Sequence, residues 1–213
     1  MLMQANHPLI VGLTGSIGSG KTLIAQVFQH LGIEVYFSDT EAKKLYQKAE
    51  VIQKIKDLFG PKVFTNNLLD KQKLANLVFT NKNELNKLNN LIHPLVQEDF
   101  EDWTTKQKSP YVIMESAIIF ETKWNTLFDK IINVSTPINL IIERVEKRDN
   151  TTKERIYERM NNQLSIEEKN HLSDYIIIND NIKLCLPQIR KIHADLLSLA
   201  NKSSNPLNNI QTK

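Results

Sequence analysis

Cysteine is nearly absent from this sequence, which has one such residue, Cys185, among 213. An internal disulfide is therefore impossible, and a cysteine-rich zinc site is excluded. No apolar run approaches the roughly 18 residues that a membrane-spanning helix needs. The N-terminal stretch also lacks the basic start and long apolar segment of a signal peptide. These absences favour a reducing, cytoplasmic location and predict no membrane partner.

An excess of charge of one sign is also lacking. The 27 Lys and Arg residues outnumber the 24 Asp and Glu residues only slightly, which gives a net charge of +3. Such a small excess is unlike that of a protein that coats nucleic acid, so we expect no nucleic-acid partner. Hydrophobic residues make up 41% and charged residues 24% of the chain. This composition is typical of a globular domain and excludes a mostly disordered or coiled-coil chain.

Arginine is rare, since only 5 of the 27 basic residues are Arg. Four of them lie close together in the chain: Arg144, Arg148, Arg155 and Arg159. The planar guanidinium of Arg binds a phosphate or a carboxylate through two parallel hydrogen bonds, and the ammonium group of Lys cannot reproduce this geometry. The cluster therefore indicates a phosphate-binding segment, with an ordinary solvated helix face as the alternative.

Short apolar runs alternate with helical patterns along the chain. Residues 9–13 form a continuous apolar run, residues 21–31 carry a helical stripe, and residues 33–37 are predicted to be a second strand. Strand, helix and strand in this order form a βαβ unit with parallel strands. Further strands are predicted at 111–114, 130–134 and 175–178. The predicted fold class is α/β, with a parallel sheet of about five strands flanked by helices.

The segment 39–108 interrupts this alternation and is predicted to be a helical insertion. Its helices are expected at 40–58, 71–79, 82–92 and 95–106, with a turn at Gly60–Pro61. Later helices are expected at 138–148, 151–163 and 182–199. The nucleotide-binding core thus comprises 1–38 and 109–200. The tail, 201–213, has almost no apolar residues to bury and is expected to be disordered.

A glycine-rich motif connects the first strand with the first helix. It consists of Gly15, Ser16, Ile17, Gly18, Ser19, Gly20, Lys21 and Thr22, and it matches G-x-x-x-x-G-K-[ST] throughout. Backbone N–H groups of such a loop bind phosphate oxygens, and the helix start adds a positive dipole end. Lys21 is expected to contact the β- and γ-phosphates, and the Thr22 hydroxyl to bind Mg²⁺. The motif predicts a site for a nucleoside triphosphate, with ATP as the default.

Two motifs that suggest a GTPase fail on their context. Asp57–Gly60 fits D-x-x-G and Asn81–Glu84 approaches N-K-x-D, but neither follows a buried strand. A motor ATPase could use Glu115 at the end of a strand, yet the chain has no second core for such a machine. A small-molecule kinase needs a phosphate-binding loop, an acceptor domain and an Arg-rich lid, and the sequence predicts all three. The lid is predicted at 144–165.

Asp39 follows the second predicted strand. It therefore belongs to the carboxyl edge of the sheet, where α/β proteins bind ligands. A carboxylate there can accept the proton of an attacking hydroxyl group. Alternatively, Ser38–Glu41 forms a capping box, and Asp39 only stabilises the helix start.

Several motifs together resemble the dephospho-coenzyme A kinases. The resemblance covers about residues 9–199. Six segments carry it: Val11–Thr22; Gly32–Asp39 with Ala42–Lys43; Leu91–Val96, which matches L-x-H-P-x-[VI]; Ser109–Val112 leading into Ile118–Glu121; Lys147–Asp149 with Gln163; and Asp174–Asn179. Within these motifs, we expect Pro94 to start a helix and His93 to have a structural role.

The resemblance implies a reaction and a role for each site residue. The reaction is ATP-dependent phosphorylation of the ribose 3′-hydroxyl of dephospho-coenzyme A. Asp39, Lys21 and Arg148 would be catalytic, with Arg148 also binding ATP from the lid. The insertion 39–108 would hold the acceptor. The alternative is another small-molecule kinase, acting on a nucleoside monophosphate or a sugar.

Overall fold

A computed structural model describes residues 8–203 of the chain. The strands are β1 (Leu9–Gly15), β2 (Glu34–Phe37), β3 (Phe64–Thr65), β4 (Leu68–Leu69), β5 (Tyr111–Glu115), β6 (Lys130–Ser135) and β7 (Tyr175–Ile178). The helices are α1 (Lys21–His30), α2 (Ser38–Leu45), α3 (Ala49–Phe59), α4 (Lys71–Thr80), α5 (Lys82–Thr104), α6 (Ile138–Asp149), α7 (Lys153–Met160), α8 (Ile166–Leu172) and α9 (Cys185–Ser203). Within this described part, no helix combines the length and apolar character of a membrane span.

The five predicted strands form one sheet in the order β2-β5-β1-β6-β7, with every neighbouring pair parallel. This confirms the predicted fold class. Glu115 at the end of β5 pairs with Leu13 of β1 and with Phe37 of β2. On the other side of β1, Gly15 pairs with Val134 of β6. The carboxyl ends of these strands therefore lie along one edge of the sheet, and the loops that follow them start there.

Both faces of the sheet are covered. The face that carries Val11 and Leu13 packs against α1 and α9, and both side chains are fully buried. On the other face, a Cβ atom at Gly12 would lie 2.8 Å from Cδ1 of Ile119 and 3.1 Å from the ring of Phe128. The segment between β5 and β6 thus lies directly on the sheet, and only glycine fits beneath it.

Helix α5 corrects the prediction of two helices, because it runs through Pro94 without a break from Lys82 to Thr104. Proline removes one backbone hydrogen bond and normally ends a helix. The buried apolar residues of α5 keep a four-residue spacing on both sides of Pro94: Leu88, Ile92, Val96 and Phe100. Burial of this continuous stripe outweighs the local cost of the proline.

Other helix boundaries also differ from the prediction. The helix predicted at 40–58 is divided into α2 and α3, and the one predicted at 151–163 ends at Met160 and is followed by α8. Asn66 and Asn67 have positive φ angles of 51° and 63° in the turn that joins β3 to β4, a hairpin that the prediction missed. Asparagine tolerates this conformation, which hairpin turns require.

The predicted start of the disordered tail, at residue 201, is too early in the chain. Helix α9 continues to Ser203, so residues 201–203 are helical. The prediction placed its end at 199 because the apolar stripe ends at Ala200. The remaining tail residues lie outside the described part of the chain.

The described chain divides into two compact units. One contains residues 8–37 and 104–203, with the parallel sheet, and the other is Ser38–Trp103, which contains α2 to α4, the hairpin and most of α5. In chain order, the helical unit is inserted between β2 and β5. The functions expected for 1–38 with 109–200 and for 39–108 remain predictions.

Candidate functional site

The glycine-rich loop connects β1 to α1, as the sequence predicts. Gly18 and Gly20 have φ angles of 74° and 92°, in the left-handed region that glycine adopts most easily. A Cβ atom at Gly18 would lie 2.5 Å from Cγ2 of Val145, and one at Gly20 would lie 2.6 Å from Nδ2 of Asn179. Both glycines are therefore required by backbone conformation and by close neighbours.

Lys21 is the first residue of α1, and only 8% of it is exposed. Its Nζ donates a hydrogen bond to the Ser16 carbonyl oxygen at 3.2 Å and lies 4.0 Å from Oε1 of Glu115. Glu115, at the end of β5, is 7% exposed. The ammonium group thus lies inside the curve of the loop beside a buried carboxylate. Thr22, the next residue of α1, is exposed.

Polar side chains from three other segments hold the loop. The Ser19 carbonyl oxygen accepts hydrogen bonds from Oγ1 of Thr136 at 3.0 Å and from Nδ2 of Asn179 at 2.8 Å. The Ile17 N–H donates to Oε1 of Gln163 at 3.0 Å. Thr136 was not predicted as a site residue, although a polar residue just after a buried strand is a recognisable signal.

The Arg cluster divides into two groups and one exposed residue, Arg155. Nη2 of Arg144 donates to Oδ1 of Asn181 at 2.6 Å and to Oδ1 of Asn179 at 3.4 Å. Because Asn179 also contacts the loop at Ser19, this arginine lies near the glycine-rich motif. No individual role was predicted for Arg144 within the cluster.

The second arginine group surrounds Asp149 at the end of α6. Arg148 donates to both of its carboxylate oxygens, from Nε at 2.7 Å and from Nη2 at 3.1 Å. Nη1 of Arg159, on α7, donates to Oδ2 at 2.8 Å. The hydrogen bond from Arg148, supported by that from Arg159, lowers the pKa of Asp149 from 3.8 to about 2. The two arginines therefore share one carboxylate that stays charged at neutral pH.

Asp39 lies in the first turn of α2, where it is exposed to solvent. Only Ser38 separates it from Phe37, the last residue of β2. In the same turn, Oε1 of Glu41 accepts a hydrogen bond from Nζ of Lys44 at 2.7 Å. Both the catalytic and the helix-start interpretations of Asp39 remain predictions.

The motifs that suggest a GTPase lie in helices or at their ends. Asp57 lies within α3. Asn81 precedes α5, and its Oδ1 accepts hydrogen bonds from the N–H groups of Asn83 and Glu84. This arrangement is that of a helix N-cap. In the same unit, burial lowers the pKa of His93, which is half-buried within α5.

Comparison with known proteins relates this geometry to one enzyme family. The dephospho-CoA kinase family model matches residues 9–184. A dephospho-CoA kinase from Bacteroides fragilis is 38% identical over 188 residues, which cover 87% of this chain and 92% of that protein.

Two solved structures are similar along nearly their whole length. A crystal structure from Thermus thermophilus has a TM-score of 0.79 and 27% identity, and covers 91% of this chain and 98% of its own. A dephospho-CoA kinase from Campylobacter jejuni has a TM-score of 0.61 and 25% identity, with the same coverage. With a glycine-rich loop at the carboxyl edge of a parallel sheet, the chain belongs to the dephospho-CoA kinase family.

Proposed function

We propose that this chain transfers the γ-phosphoryl group of ATP to the ribose 3′-hydroxyl of dephospho-coenzyme A, which yields coenzyme A and ADP. The observation that carries this proposal is the loop Gly15–Thr22, with the Lys21 ammonium inside it, in a chain of this family. In the transfer, the bond from the γ-phosphorus to the ADP oxygen breaks. A bond from the ribose oxygen to the same phosphorus forms.

The loop is proposed to bind the phosphates of ATP through Gly15, Ser16, Ile17, Gly18, Ser19, Gly20, Lys21 and Thr22. Its backbone N–H groups and the start of α1 offer a concave, positive surface to phosphate oxygens. The ammonium of Lys21 stabilises negative charge on the transferred group. Contacts from Gln163, Thr136 and Asn179 support this role because they hold the loop in shape before ATP arrives.

Mg²⁺ fits the donor atoms at the start of α1. Thr22 presents a hydroxyl oxygen there, and Mg²⁺ commonly uses one or two protein oxygens together with substrate phosphates. Between residues 8 and 203, no three His, Cys, Asp or Glu side chains converge as a separate metal site. When bound, Mg²⁺ neutralises charge on the β- and γ-phosphates.

Asp39 is proposed to accept the proton of the attacking hydroxyl. Its exposed carboxylate follows β2 closely in the chain, and β2 ends at the same edge of the sheet as β1.

Arg148, in the lid 144–165, is proposed to bind phosphate oxygens with its two-pronged guanidinium. The helical insertion, predicted as 39–108, is proposed to bind the acceptor. We expect this chemistry in the cytoplasm.

The proposal is tested by ADP release with a panel of acceptors. Purified protein, ATP and Mg²⁺ are mixed with dephospho-coenzyme A, with several nucleoside monophosphates, or with gluconate. We expect ADP release with dephospho-coenzyme A far above the rate without acceptor. Release driven by a nucleoside monophosphate or by gluconate would support the alternative small-molecule kinase instead.

A further inference from the structure

Lys169, on α8, is completely buried. Its Nζ donates to the Ala117 carbonyl oxygen at 2.7 Å and lies 3.0 Å from Oε1 of Glu121. The Glu121 side chain is 16% exposed. Glu121 belongs to the connection between β5 and β6, and Lys169 belongs to α8. Both segments cover the same face of the sheet.

An ion pair as buried as this one is weak evidence for stability. Removing two charges from water costs free energy that their attraction repays only with good geometry, and apolar residues of similar size often serve as well. Leaving either charge of such a pair unpaired is costly, so the pair disfavours arrangements that separate its two backbone segments. The contacts that Glu121 makes next are therefore informative.

The same oxygen of Glu121 also accepts a hydrogen bond from the Leu164 N–H at 2.8 Å. Leu164 directly follows Gln163, whose side chain accepts the Ile17 N–H of the glycine-rich loop at 3.0 Å. A continuous chain of contacts thus runs from Lys169 through Glu121 and residues 163–164 to the phosphate-binding loop. A cavity of about 740 Å³ opens beside these residues, with Ser16, Gln163 and Leu164 in its wall.

We propose that Glu121, held by Lys169, is a positioning residue that fixes the end of the lid and thereby keeps Gln163 on the glycine-rich loop. It acts on ATP only through Gln163 and Ile17. The inference rests on the ATP-binding role proposed for the loop. It assigns a function to a buried ion pair that lies outside the proposed phosphate contacts.

The test compares two variants and their combination. Glu121→Leu with Lys169→Met removes both charges together, so no unpaired charge stays buried. Gln163→Met removes the acceptor of the Ile17 N–H and leaves the ion pair intact. For each protein, we measure the melting temperature, the Kd for ATP, and kcat and KM.

Each altered protein is expected to bind ATP about ten-fold more weakly, with a smaller change in kcat. The combined variant should bind no more weakly than the weaker of the two, because both changes break the same chain of contacts. Wild-type ATP affinity in the Glu121→Leu, Lys169→Met protein would overturn the inference, as would fully additive losses. Lack of ATP binding by the unaltered protein would instead refute the proposed function.

A second, more exposed ion pair in the chain provides a control with the same kinds of contact. Nζ of Lys130 lies 2.7 Å from Oδ1 of Asp174, whose Oδ2 accepts the Ile131 N–H at 2.8 Å. This pair also joins a carboxylate to a Lys and to a backbone N–H, but at the start of β6, the opposite edge of the sheet from the loop. Asp174→Leu with Lys130→Met should leave ATP affinity unchanged, and an equal loss there would overturn the specific role of Glu121.

The single change Glu121→Gln serves if the double variant does not fold. Glutamine keeps an oxygen for the Leu164 N–H but gives Lys169 no counter-charge. We expect a lower melting temperature and an ATP affinity reduced several-fold. An unchanged ATP affinity would contradict the positioning role.

Discussion

Lys21 and Glu115 are buried close together, so removal of the lysine is expected to affect both turnover and stability. We predict that Lys21→Ala abolishes turnover, because it removes the positive charge from the loop. We also predict that it lowers the free energy of unfolding by about 3 kcal/mol, since Glu115 loses a neighbouring cation in a buried position. Steady-state kinetics and thermal melting measure the two effects.

The double change Lys21→Ala with Glu115→Gln is the control for stability. It removes the buried negative charge as well, so the melting temperature should recover while turnover stays absent. Recovered turnover would show that Lys21 acts only by balancing Glu115, and would contradict its role at the phosphates.

Asp39 is exposed, so its carboxylate can be changed at little cost to the fold. We predict that Asp39→Asn lowers kcat by about 10²-fold, as expected when a general base is lost. The Kd for ATP and the melting temperature should stay near their wild-type values.

Glu41→Gln, in the same turn of α2, is the matched control for Asp39. It removes a neighbouring carboxylate and should leave kcat nearly unchanged. If Asp39→Asn lowers the melting temperature and kcat holds, Asp39 is a helix-start residue and the base lies elsewhere.

Helices α6 and α7, which overlap the proposed lid, each bring one arginine to Asp149. Arg148 contacts this carboxylate with two nitrogens, whereas Arg159 uses one. A lysine can replace a single contact more easily than a two-pronged one. Because Arg148 is the arginine proposed to bind phosphate oxygens, we predict that Arg148→Lys lowers kcat/KM for ATP about ten-fold, which corresponds to about 1.4 kcal/mol, and that Arg159→Lys costs much less. Equal, small effects at both positions would mean that the lid binds phosphate through other residues.

The glycine-rich loop needs space as well as backbone freedom at Gly20. Gly20→Ala would place a methyl group 2.6 Å from the Asn179 amide, in a residue with φ of 92°. Gly32→Ala has a similar φ of 83° but meets no atom within 4 Å, so it measures the backbone strain alone. We predict that both variants lose about 1 kcal/mol of stability through strain. Only Gly20→Ala should also weaken ATP binding, and equal ATP affinity in the two variants would contradict this account.

Elements whose signal is local could be predicted from the sequence. The five strands of the sheet are short segments rich in apolar residues, and the loop Gly15–Thr22 is a contiguous motif, so neither depends on distant residues. The continuity of α5 depends instead on burial of Val96 and Phe100 beyond Pro94, which a local rule for proline does not include. Helix α8 also has a local signal, the capping box formed by Ser165 and Glu168, although this helix was not predicted.

Contacts between distant residues were the least predictable part of the site. A lysine is normally exposed, and nothing near Lys169 in the sequence indicates its burial against Glu121. Likewise, Thr136 and Asn179 meet at the Ser19 carbonyl only because their strands are neighbours in the folded sheet.

At the scale of the whole molecule, the chain combines a sheet unit with an inserted helical unit. The insertion begins directly after β2, so the proposed base Asp39 belongs to the helical unit and the glycine-rich loop to the sheet unit. We propose that the sheet unit binds ATP and that the insertion binds the acceptor. The central claim of the proposed function is that the ribose 3′-oxygen of the acceptor receives the phosphoryl group.

The most direct test of that claim is the position of the new phosphate on the product. The protein is incubated with ATP, Mg²⁺ and either dephospho-coenzyme A or its 3′-deoxy analogue, and the products are analysed by mass spectrometry and phosphorus NMR. The account predicts one added phosphoryl group on the ribose 3′-oxygen of dephospho-coenzyme A and none on the analogue. Phosphorylation of the 3′-deoxy analogue, or a phosphate at another position of dephospho-coenzyme A, would contradict it.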